Sequence, residues 1–181
     1  MMTRARSVPG RLLANASGAV GLVIIALYLG VALFAAFGLT PYPSAEQRPP
    51  ERLQGPSAQH LMGTDLFGRD VASRVMEGAK NSLYVSLLSV ALSGFAGVAL
   101  GVLAGFAGGR LDQFVMRLMD VFFAFPALLL ALLVITVLGP SINNAVLAIA
   151  VVYTPIFARV ARGPVLAVKE REFVQAGRSL G

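Results

Sequence analysis

Long uncharged apolar runs divide this chain. The first, Gly18 to Leu39, is rich in Leu, Val, Ile, Ala and Phe. At 1.5 Å per residue it makes roughly 33 Å of helix, enough for a hydrocarbon core of about 30 Å. A second run, Asn81 to Gly109, is long enough to span with tilt. The third, Val121 to Ala158, is too long for one crossing, and Gly139-Pro140-Ser141 interrupts it where a turn is expected. It therefore divides into one helix from about Gln113 to Leu138 and another from about Asn143 to Ala158. In hydrocarbon every backbone amide must be bonded internally, and segments of these lengths suit helices rather than barrel strands. The pattern predicts an all-α polytopic membrane protein with about four transmembrane helices. Arg4, Arg6 and Arg11 before the first run also describe a secretory signal, but a signal's apolar region is about 7 to 15 residues. The longer run here reads as a retained anchor.

The connections carry their own patterns. Residues 1–17 form an N-terminal segment, 18–39 the first crossing, 40–80 a loop with an interfacial helix, and 81–162 the remaining crossings. Pro41, Pro43, Pro49, Pro50 and Pro56 make the loop extended. Asp70 can cap a short amphipathic stretch in which Val71, Ala72, Val75, Met76, Ala79 and Leu83 recur at helical spacing. Asp70 and Arg74 stand at the favourable i, i+4 separation. In the second crossing Ser89, Ser93, Gly97, Gly101, Gly105 and Gly109 follow one another every four residues, a small-residue stripe that lets another helix approach closely. Pro126 and Pro155 predict kinks. Gly163-Pro164 is expected to end the last crossing. The tail from Lys169 to Gly181 is then a short amphipathic helix, suited either to a partner's groove or to the membrane surface.

Composition agrees with the pattern: 56% of the 181 residues are hydrophobic and 13% charged, with a mean hydropathy of +0.75. The net charge of +6 does not indicate nucleic acid, because the basic residues sit at segment ends and form no stripe. Instead they set topology. With the N-terminus inside, ten Lys and Arg fall inside and five outside, which places both termini in the cytoplasm. The chain has no cysteine, no Gly-x-x-x-x-Gly-Lys-Ser/Thr phosphate loop and a single histidine, His60, in a loop where solvation is the expectation. Multi-histidine metal sites are excluded. Asp65 and Asp70 lie near each other in sequence with no nucleophile or base beside them. No catalytic residue, metal ligand or cofactor site is expected, and the chain is read as no enzyme.

Two stretches resemble a known family. Gly63-Thr64-Asp65-Leu66-Phe67-Gly68-Arg69-Asp70, continuing through Ser73-Arg74, resembles the signature preceding the membrane core of dipeptide/oligopeptide/nickel-type ABC importer permeases. Glu172-Phe173-Val174-Gln175-Ala176-Gly177-Arg178-Ser179-Leu180-Gly181 resembles the first part of their cytoplasmic EAA loop, and Met116 to Pro126 is also similar. The resemblance runs from about residue 12 to the end. It implies the N-terminal part of a six-helix permease in a bacterial or archaeal inner membrane, with residues 163–181 as a coupling helix cut short at Gly181. It further implies a second permease subunit, separate subunits that use the ATP, and an extracytoplasmic substrate-binding protein for peptides or similar small solutes. Glu172, Phe173, Val174, Gln175, Ala176, Gly177, Leu180 and Gly181 would then dock on the ATPase. Gln175 stands where the motif usually has Glu, and Gly177 where it has Ala; glycine loosens the helix by about 0.5–1 kcal/mol. The alternative is a small non-transporting membrane protein that packs against partner helices.

Overall fold

The computed structural model describes residues 15–179. Arg4, Arg6 and Arg11, and Leu180 and Gly181 of the tail motif, lie outside the described residues. Among the described residues six α-helices run in order: α1 (Ala16–Ala36), α2 (Val71–Ala107), α3 (Gly109–Ala124), α4 (Ala127–Leu138), α5 (Ile142–Lys169) and α6 (Glu172–Ser179). Among the described residues extended pairing is confined to one isolated bridge, Thr64 with Asp70. The fold is all-α. α1, α2 and α5 are each long and apolar enough to cross a membrane, and α3 with α4 makes a fourth crossing if that pair counts as one span.

Local chemistry sets the boundaries. α1 stops where Gly38 turns left-handed, with Leu39 N–H bonding to Phe34 O at 2.9 Å and Gly38 N–H to Ala35 O at 3.1 Å. That pair of bonds satisfies carbonyls at the helix end. α2 begins where Asp70 Oδ2 accepts the Ser73 N–H at 2.7 Å. α5 begins at Ser141, whose hydroxyl oxygen accepts the Asn144 N–H at 3.0 Å.

Three expectations are corrected. The amphipathic stretch after Asp70 and the second crossing are one continuous helix of 37 residues, which runs through Gly78 and meets no proline. The third crossing is not one helix: α3 and α4 meet at 95° across Phe125-Pro126, where the proline cannot donate to the preceding turn. Gly163-Pro164 does not end α5, which continues through both Pro155 and Pro164 to Lys169. A helix packed against neighbours tolerates a proline, and α5 is packed there against α2.

The chain forms two compact units, Met1–Leu83 and Tyr84–Gly181. In the first, α1 touches the start of α2 through Tyr28, whose hydroxyl donates to Ala79 O at 3.1 Å. In the second, α5 is the central element, packed against α2, α3, α4 and α6.

Candidate functional site

The Gly63 to Asp70 signature folds into a knot within the first unit. Gly63 and Gly68 both have positive φ, near +74° and +73°. A side chain on Gly68 would collide with the Arg48 backbone carbonyl, and one on Gly63 with that of Gln54, so glycine is required twice over. Thr64 bonds at both ends: its hydroxyl accepts the Gln54 N–H at 2.9 Å and donates to Glu51 O. Asp65 accepts the N–H groups of Phe67 (2.8 Å) and Arg69 (3.0 Å), Arg69 Nε at 2.8 Å and Arg74 Nη1 at 2.5 Å. Burial pushes its carboxyl up, but those two amides and two guanidinium groups outweigh it and hold the pKa at about 2. Gly63, Thr64, Asp65, Gly68 and Arg69 thus close the proline-rich loop onto itself or onto the start of α2.

His60 is not solvated. It is 3% exposed, and its Nδ1–H donates to Asp70 Oδ1 at 2.9 Å. Asp70 is buried too; burial raises its carboxyl pKa, but the Ser73 amide and His60 prevail and lower it. Tyr42 stacks on the ring at 4.9 Å, and its own N–H bonds to the Ser73 hydroxyl at 3.0 Å. Asp70 therefore pairs with His60, and Arg74 with Asp65; the i, i+4 pair expected between Asp70 and Arg74 does not form. Among the described residues no group of three or more His, Cys, Asp or Glu could hold a metal ion.

In the second unit the small-residue stripe of α2 lies on α5. A side chain on Gly97 would stand 2.5 Å from Phe157 Cβ and from the Thr154 carbonyl. One on Gly101 would fall on the Ala158 carbonyl, and one on Gly105 would lie 3.0 Å from Val165 Cγ1. Buried Ser89 continues the seam by donating to Val146 O at 3.2 Å. Gly109 is not in it. It opens α3 with nothing within 4 Å of where a side chain would be.

Charged contacts close one end of the seam. Arg162 grips Asp112 in two-pronged fashion, both bonds 2.6 Å, and Arg159 meets Asp120 at 2.5 Å. Lys169 Nζ donates to Phe106 O at 2.9 Å and Gly105 O at 3.4 Å, the last carbonyls of α2. None of these five residues was singled out from sequence as a site. The available signal was that Asp112, Asp120, Arg159 and Arg162 are isolated charges beside apolar segments, and such charges find one another. Immediately beyond Lys169, α6 carries Glu172, Phe173, Val174, Gln175, Ala176 and Gly177. Phe173 is 66% exposed, while Val174 lines an apolar hollow of about 420 Å³ with Val102, Phe106, Pro164, Val165 and Val168.

These features define a multi-pass α-helical membrane protein whose helix seam ends in a short amphipathic helix. Residues 97–181 match the family described as binding-protein-dependent transport system inner membrane component, and the chain belongs to that family. It is 43% identical over 167 residues to the dipeptide transport system permease protein DppC of Alkalihalophilus pseudofirmus, covering 92% of this chain and 55% of that one. It is 42% identical to the di/tripeptide permease DppC of Pseudomonas aeruginosa (89% and 55% covered). It is 38% identical to the glutathione permease GsiD of Pectobacterium atrosepticum (90% and 54% covered). The chain spans about half the length of the curated relatives it matches.

Proposed function

We propose that this chain is the membrane-spanning permease subunit, or part of one, of an ATP-driven importer for peptides or similar small solutes. It pairs with a second permease subunit, receives cargo from an extracytoplasmic binding protein, and leaves ATP hydrolysis to separate cytoplasmic subunits. The chain itself performs no chemistry and holds no cofactor. The relatives' names supply the cargo class. Both termini of the chain face the cytoplasm, from the ten-to-five excess of Lys and Arg on that side.

One observation carries this reading: α6 presents exposed Phe173 four residues beyond the end of α5, the helix around which the second unit is packed. An aromatic anchor on a short amphipathic helix is what a groove on a partner takes up. Co-purification of the permease with its ATPase tests it. Truncating a buried anchor costs about 2 kcal/mol or more, so Phe173→Ala weakens association on the order of thirtyfold. Arg171→Gln does much less, since rim charges act mainly on association rate. If Phe173→Ala holds the ATPase as well as the parent while inserting normally, the docking assignment is wrong. A non-transporting protein that packs against partner helices then becomes the better account.

A further inference from the structure

Asp112, Arg162 and Lys169 do something the transport reading does not require of them. Arg162, Val165 and Lys169 are spaced three and four residues apart, so they share one face of α5. All three grip the corner where α2 ends and α3 begins. Arg162 holds Asp112 in the first turn of α3 by two 2.6 Å bonds. Val165 packs against Gly105. Lys169 places its ammonium on the carbonyls of Gly105 and Phe106, where a helix C-terminus favours positive charge. The corner itself is Gly108-Gly109, both at positive φ, and has no side chain of its own with which to make contacts. Its attachment to α5 therefore rests on that one face.

The same turn of α5 is the root of α6. Arg171 N–H bonds to Val168 O at 3.1 Å and Val174 N–H to Arg171 O at 2.9 Å, so α6 starts from the turn that Lys169 occupies. The two-pronged arginine–carboxylate pair fixes orientation as well as distance, which a single point contact does not. We propose that Asp112, Arg162 and Lys169 are positioning residues that make α6 and the α2–α3 corner move as one body. Resting on the transport reading, this makes them the link by which a displacement of α6 reaches the glycine seam between α2 and α5.

The chain has no cysteine, so paired spin labels can be placed without background. Labels at exposed Arg110 and Ala176, in the full chain in lipid nanodiscs, report the distance between corner and tail helix. The parent gives one narrow distribution. Asp112→Asn, which keeps size and removes the charge and the two-pronged pairing, and Lys169→Met, which removes the ammonium, each broaden it at least twofold. The exchange Asp112→Arg with Arg162→Asp restores it, a rescue that loss of general stability would not give. An unchanged width in both single variants overturns the proposal, as does broadening that the exchange leaves uncorrected. In the transporter assembled with ATPase and binding protein, the single variants keep the ATPase but lose at least tenfold in solute moved per ATP hydrolysed. Unchanged coupling there overturns the mechanical role. If the parent itself binds no ATPase, the transport reading fails, and the label distances still decide whether the three residues join the two elements.

Discussion

His60 Nδ1 and Asp70 Oδ1 stand 2.9 Å apart, both side chains buried, and Asp70 uses its other oxygen to cap α2. Removing the ring leaves a buried carboxylate short of one donor. Loss of such a partner costs about 1–3 kcal/mol. His60→Ala therefore lowers the stability of the signature loop by that amount, seen as faster amide exchange at Ser73 and Arg74 in detergent. Exchange as slow as in the parent would show that Asp70 does not depend on His60.

Asp65 makes the loop acid-sensitive in a predictable direction. Its carboxyl pKa falls from an ordinary 3.8 to about 2 in the folded chain. A depressed folded value means stability that is fully present above the unfolded value and lost as pH falls through the folded one. Exchange protection across residues 63–70 should hold near neutrality and fall between about pH 3.8 and 2. Asp65→Asn makes that acid step smaller, leaving Asp70 to account for what remains. A step of unchanged size would show that Asp65 is not its source.

Glycines within α2 separate into two kinds. Gly101 faces the Ala158 carbonyl, so Gly101→Leu drives the helices apart, and overpacking typically costs about 1–3 kcal/mol. Gly78 has open space around it and lies inside the same helix, so Gly78→Ala gains about 0.5–1 kcal/mol from reduced backbone freedom. Thermal denaturation in one detergent compares both. If the two variants shift the midpoint in the same direction, the seam is not where the glycines matter.

The crossing count and orientation are open to a labelling test. Single cysteines at Ser57 and Ala176 are placed outside and inside respectively by the charge distribution. A membrane-impermeant thiol reagent on intact cells should label position 57 and spare position 176. Labelling of both would mean that α3 and α4 together do not carry the chain across.

What the sequence reveals about this fold follows from the range of each force. Apolar length is a property of one segment, so α1 and the membrane-crossing part of α2 are legible directly. The glycine and serine spacing identifies a packing face but not the partner, and α5 supplies it only in three dimensions. Proline departs from expectation in both directions: Pro126, expected to kink one helix, divides it at 95°, while Pro164, expected to end the last crossing, leaves α5 unbroken. No local pattern distinguishes the two outcomes, since Pro126 and Pro164 are both exposed and only the first breaks its helix. His60 with Asp70, and Asp112 with Arg162, were illegible for the same reason, being ten and fifty residues apart.

The bend at Phe125-Pro126 has a consequence for the lipid. α4 has 12 residues, so it rises only about 18 Å, where an ordinary hydrocarbon core is about 30 Å thick. With α3 turned away at 95°, that column cannot be lengthened from below. If α4 completes the crossing by itself, the bilayer beside it must thin or another polypeptide must cover the deficit. Hydrophobic mismatch costs a fraction of a kcal/mol per ångström. Over a shortfall of about 12 Å it amounts to several kcal/mol, a standing preference for thinner membrane or for company on that side.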